Sequence, residues 1–310
     1  MRNRSLSLVV ALAVAVVGLF VYRSWSEAQQ AAAVREKLLE DVTLALAAPR
    51  GQEADVSRLV AGLLELGEED HEALLALARL ELARKRYERA IAYIEKLVED
   101  GGELTLRTAA VAWFRHQATA AVDASAQRQI LQQALSYGEQ AAAKSRAAED
   151  WFLCWQAASR LGAGQSKASA RQGLEVDASG SLEARTVALL ESLQQEGSPM
   201  PSLEIVTTLA NEWDDAPLEL QLLQAALFLS AQELERAMSL ADAALLSAPN
   251  VFEVRQLAAT VHHVAVQATA AGGQRDRHLL LRDAQIQWLD ANAEADDARR
   301  PVWLSWKLVR

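Results

Sequence analysis

The feature that most constrains this chain is its scarcity of helix-breaking residues. It has 14 Gly and 6 Pro in 310 residues, many of them gathered at Pro49-Arg50-Gly51, Gly101-Gly102, Gly162-Ala163-Gly164, Gly197-Ser198-Pro199, Pro217, Pro249-Asn250 and Gly272-Gly273. Between these turn signals lie segments of the length that globular helices fill, roughly 12 to 20 residues. Hydrophobic residues make up 51% and aromatics only 5%. Alanine and leucine therefore carry most of the apolar content, which suits helices. Outside the N-terminus no alternating run of apolar and polar residues marks a strand. The chain is predicted to be all-α.

The N-terminus reads differently from the rest. Residues 6–22, LSLVVALAVAVVGLFVY, contain no charge. As a helix they would be ~25 Å long, slightly short of a ~30 Å hydrocarbon core. Trp25 and a snorkelling Arg23 could extend the span into the interface. Arg2, Arg4 and the α-amino group precede the run, so the positive-inside rule places the N-terminus in the cytoplasm and the bulk of the chain outside. A cleaved signal peptide is the alternative, with Ser24 and Ser26 as small residues near a cleavage point. Tyr22, Arg23 and Trp25 fit that poorly. Residues 1–26 are thus expected to be a cytoplasmic tip and transmembrane signal-anchor. Residues 27–51 follow as a linking helix, with Ala31, Val34, Leu38, Val42 and Leu46 at helical spacing.

Residues 52–295 carry the repeat signal. In 71–100, apolar groups fall at Leu74, Leu77 and Ala78, then at Tyr87, Ala90, Ile91, Ile94, Leu97 and Val98. In 218–251 they fall at Ala225 and Phe228, then at Leu234, Ala237, Met238, Ala241, Ala244 and Leu245, with Pro249 near the end. Both stretches resemble the tetratricopeptide (TPR) repeat, whose unit is a helical hairpin with small residues where its helices cross. Ala78 with Ala90, and Ala225 with Ala237, match those crossing positions. Ala134, Ala168 and Ala284 extend the spacing more loosely. Glu81 departs from the pattern, since the family usually has an aromatic there. Residues 103–144 and 251–294 require extended helices. The resemblance implies a TPR-like α-solenoid of helical hairpins.

It also implies a groove lined by the first helix of each hairpin. On the two matching repeats the groove positions are Leu75, Arg79 and Leu82, then Leu222, Ala226 and Leu229. The chaperone-binding members use Lys and Asn to clamp a carboxylate; Leu75 with Arg79, and Leu222 with Ala226, do not reproduce that clamp. Leu75 and Leu222 could equally pack against the next hairpin. Residues 296–310 form either a cap or a docking helix. Pro301 suits a first turn. A cap would pack near Ala284 and Trp288, whereas a docking tail would present Trp303, Trp306, Lys307 and Arg310.

Charge narrows the function. With 31 basic and 41 acidic residues the net charge is −10, which disfavours phosphate backbones, so no nucleic-acid partner is expected. The lone Cys154, between Trp151 and Trp155, excludes an internal disulfide and reads as a small core residue. His71-Glu72 lacks the second histidine of a zinc-protease helix, and Gly162–Lys167 lacks the ending of a phosphate loop. His262, His263 and His278 could meet across two facing helices, but adjacent histidines point ~100° apart, so only one joins His278. Without a nearby carboxylate such a pair makes a poor site, and no metal, cofactor or catalytic residue is expected. Asp290, Glu294, Asp296 and Asp297 lack EF-hand spacing.

The expectation is a non-catalytic scaffold or assembly factor of the cell envelope that binds other proteins, namely envelope or membrane-complex subunits, through its groove. The alternatives are a structural subunit that oligomerises through the array ends and a membrane-anchored carbohydrate-processing enzyme. The latter needs a carboxylate pair in a recognisable motif. Ala-, Arg- and Leu-rich usage has a bacterial character, which points to the inner membrane with a periplasmic domain.

Overall fold

A computed structural model describes residues 28–47, 53–67, 70–120, 123–193 and 200–292, together with 302, 305 and 306. Among these residues the regular structure is helical, with no strand. None of these helices is long and apolar enough to cross a membrane. The expected anchor, residues 6–22, lies outside the described residues. The described residues divide into two compact units, one ending at Asp100 and one starting at Gly101.

The first unit contains α1 (helical through 28–47), α2 (Glu53–Glu65), α3 (His71–Ala83), α4 (Tyr87–Ile94) and a 3-10 turn at Val98–Asp100. The second half of α1 packs against the unit: Val42 is buried and Leu38 lies over Gly62, where an added Cβ would sit 3.0 Å from the leucine Cδ2. Ala31 and Val34, nearer the start, are exposed. Asp70 caps α3 by accepting from the Ala73 amide at 3.1 Å. The same carboxylate receives Arg35 of α1 at 2.5 and 2.9 Å, so one side chain caps a helix and ties two helices together. The Arg35 guanidinium holds the Asp70 carboxyl below its usual range.

The second unit contains α5 (Glu103–Thr119), α6 (Ala124–Ser145), α7 (Ala148–Leu161), α8 (Gly164–Asp177), α9 (Leu182–Ser192), α10 (Leu203–Asn211), α11 (Leu218–Ser230), α12 (Leu234–Ser247), α13 (Phe252–Ala268) and α14 (Gly273–Asn292). The stretches expected to need extended helices do hold long ones, with 22 residues in α6 and 20 in α14. Side-chain caps from Asp123, Ser181 and Ser202 start α6, α9 and α10. The largest core joins α5 to α9 through Phe114, Leu131, Phe152, Trp155, Leu174 and Val187. Cys154 is buried within it, its thiol pushed up to about 12 by desolvation and held against Gly138. Gly173 lets the Trp151 ring lie directly on α8, since a Cβ there would come within 2.4 Å of the indole.

Three hairpins share one turn. In α3–α4 the Arg86 amide bonds back to the Glu81 carbonyl, in α7–α8 Ala163 to Ala158, and in α11–α12 Glu233 to Phe228, each at 2.9 Å. The residue before each of these donors is left-handed: Lys85 at φ 60°, Gly162 at φ 69° and Gln232 at φ 64°. Ala78 and Ala90, and Ala225 and Ala237, are fully buried, as helix crossings at small residues require. Ala134 is buried as well, but Ala168 and Ala284 are exposed, a correction to the looser spacing. Ala170 of α8 and Ile286 of α14 are buried instead, because both helices turn a different face inward.

The second unit also has contacts beyond neighbouring hairpins. Asn250 donates its side-chain amide to the Thr119 carbonyl at 2.9 Å and its backbone amide to the Ala118 carbonyl at 3.2 Å. Ala118 lies in one buried cluster with Ala244, Ala248, Val251 and Val254. The end of α5 is thereby sealed against α12 and α13.

Candidate functional site

On α3, Leu75, Arg79 and Leu82 are all half-buried and share one face of the helix. Arg79 has no hydrogen-bond or ion-pair partner among the described residues, whereas its neighbours Arg84 and Arg86 both approach Glu81. Among the described residues this cation lies beside two partly covered leucines and meets no acid.

On α11, Leu222, Ala226 and Leu229 are likewise half-buried. Here the leucines have company: Leu222 packs on the Ala118–Val254 cluster, and Leu229 packs with Phe228, Ala237, Ala241 and Val261. The three α3 positions belong to the first unit and the three α11 positions to the second.

A polar network that the sequence did not point to lies beside α11. Arg160 donates to Glu219 at 2.9 Å and to Gln117 at 3.1 Å, and its guanidinium lies 4.3 Å from the Phe114 ring centroid. Gln156 also donates to Glu219, at 2.7 Å. Burial raises the Glu219 carboxyl, but the charge and hydrogen bonds of Arg160 outweigh it and leave the group below its usual range. The network joins α5, α7 and α11 and leaves Arg160 fully engaged, so it reads as structural.

Of the C-terminal residues, Trp306 is half-buried and stacks on His263 at 4.8 Å between ring centroids. It packs on the cluster of Ala259, Ile286 and Leu289 beside Trp288. Trp303, Lys307 and Arg310 lie outside the described residues, as do Glu294, Asp296 and Asp297.

The histidines separate as their angular offset requires. His263 turns to Trp306, while His262 meets His278 of α14, Nδ1 to Nδ1 at 3.4 Å. A carboxylate is nearby after all: Asp242 of α12 comes within 3.7 Å of His262 Nε2. It belongs to neither histidine helix, so spacing along the sequence does not reveal it. The pair borders a pocket of about 780 Å³ that is also lined by Gln232, Gln274 and Arg277. Burial lowers the His262 pKa, opposed by Asp242 and reinforced by His278 and Arg277.

No family model matches the sequence, and no curated protein matches it. Among solved structures, a thermophilic TPR protein from Thermus thermophilus aligns at 20% identity with a TM-score of 0.37, over 74% of this chain and 98% of its own. A likeness that slight carries no argument. The repeat character rests on the three hairpins with a common turn and on their buried alanine crossings.

Proposed function

We propose that this chain is a non-catalytic, protein-binding scaffold of the TPR type, held at the cell envelope by residues 6–22 with its helical part on the periplasmic side. The observation that carries the binding reading is Arg79, which lies between half-buried Leu75 and Leu82 with no hydrogen-bond or ion-pair partner among the described residues. The partner that fits is a protein segment with apolar residues beside an acid. Trp306 favours a scaffold over end-to-end oligomerisation, since its ring already covers α13 and α14. The uncharged run with Arg2 and Arg4 before it supports the anchor and its orientation.

The test is co-purification of the full chain in mild detergent, comparing wild type with Arg79→Glu. Charge reversal is expected to weaken capture by about 1–3 kcal/mol while leaving the melting temperature nearly unchanged. A sharp fall in melting temperature makes Arg79 structural and removes the groove. Equal capture by both proteins does the same. Protease applied to the outer face of intact membranes is expected to digest the helical part or trim it to a resistant core; complete protection reverses the topology.

A further inference from the structure

We propose that His262 and His278 form a chelating site for a divalent transition-metal ion of the zinc class, with Asp242 as its outer carboxylate. The two Nδ1 atoms lie 3.4 Å apart. That separation matches the edge of a tetrahedral zinc site, about 3.3 Å for metal–nitrogen bonds of 2.0–2.1 Å. The rings come from consecutive helices packed as a hairpin, so the spacing is held by the backbone rather than by flexible loops.

A carboxylate also stands near the outer ring nitrogen of His262. A ligating histidine characteristically gives its other ring N–H to a carboxylate, which fixes the tautomer and leaves the lone pair for the metal. Asp242 Oδ1 stands 3.7 Å from His262 Nε2, on the side of the ring away from His278; this is longer than a hydrogen bond, and the largely exposed carboxylate must move inward to accept the N–H when a metal binds. His262 is 3% exposed, so its ring is fixed by packing, while His278 is half-buried at the pocket wall. The protein supplies two nitrogens, and no third histidine, cysteine or carboxylate completes a closed set among the described residues. Two protein nitrogens are one fewer than open catalytic zinc sites hold, so the remaining positions go to water or to a donor atom entering the pocket. Imidazole ligands suit zinc, copper and nickel and disfavour magnesium and calcium.

The competing account is a simple N–H···N hydrogen bond between the rings, which requires no metal. Titration of the untagged full chain with Zn(II), and with Co(II) followed by its visible absorption, separates the two. Saturation at one equivalent per chain is expected for wild type and for His71→Gln, which alters an exposed histidine elsewhere. His278→Gln, at the half-buried position, is expected to lose at least tenfold in affinity while keeping its helical circular dichroism. Asp242→Asn is expected to weaken binding by about 10–100-fold without changing the stoichiometry. The proposal is overturned if wild type fails to bind or if His278→Gln binds as well as wild type. An unaffected Asp242→Asn removes the outer carboxylate from it.

Discussion

The hairpins α3–α4 and α11–α12 turn in the same way but differ in what they bury at one equivalent place. Phe228 fills that place in the second, packed with Ala237, Ala241 and Val261, and Arg236 lies 5.5 Å from its ring centroid. Glu81 fills it in the first and is just as hidden, at 1% exposure. Its carboxylate is poorly served: Arg84 reaches one oxygen at 3.4 Å, Arg86 comes only to 3.8 Å of the other, and Oε2 has no hydrogen bond. Burying a charge costs several kcal/mol, which long, partly exposed contacts offset incompletely. The turn and the alanine crossings therefore specify the hairpin, and the residue at this place sets its stability.

Four substitutions probe that difference. The largest effect is expected from Phe228→Ala, which should lower the stability of the second unit by about 3–5 kcal/mol, measured as a shift in the denaturant midpoint. A loss below about 1 kcal/mol would mean that the ring is not a principal support of α11–α12. Glu81→Leu should have the opposite sign, stabilising the first unit by about 1–2 kcal/mol as an apolar side chain replaces a badly paired charge. Destabilisation there would show that Arg84 and Arg86 compensate the carboxylate despite their distances. The smallest effects belong to the shared turn. A left-handed non-glycine residue costs roughly 1–2 kcal/mol and the extra chain entropy of glycine takes back about half of that. Lys85→Gly and Gln232→Gly should each gain about 0.5–1 kcal/mol by thermal melting. Similar gains in both sharpen the equivalence of the two turns, and opposite signs break it.

Much of this was legible in the sequence wherever a turn is punctuated by glycine or proline. Gly101-Gly102, Gly162-Ala163, Pro217 and Pro249-Asn250 each fall between helices, and the alanines at 78, 90, 225 and 237 are fully buried, as their spacing predicts. The turns at 84–86, 146–147 and 231–233 were harder to see. Lys85, Arg146 and Gln232 occupy the left-handed region there without the residue types that advertise it. Ala168 and Ala284 misled because alanine suits an exposed helical position as well as a crossing. At the candidate sites, helical spacing put Leu75, Arg79 and Leu82 on one face. It could not reveal that Leu222 lies over the alanines of α5 and α12, or that Asp242 stands behind His262. Both depend on which distant helices meet.

The bond from Asn250 to the Thr119 carbonyl spans 131 positions of sequence. In an open array each repeat touches only its neighbours, so structure can nucleate anywhere and spread, and terminal repeats can be removed singly. Sealing the end of α5 against α12 and α13 changes the kinetics. Those helices gain their mutual contacts only after a long intervening segment has been ordered, so loop-closure entropy opposes the step before any contact repays it. Residues 101–310 should consequently refold slowly for an all-helical protein and unfold in one cooperative step rather than fraying from the C-terminus. Shortening the chain before Asn250 would deprive α5 of its cover as well as removing the last hairpin, coupling synthesis of the final helices to the completion of the first.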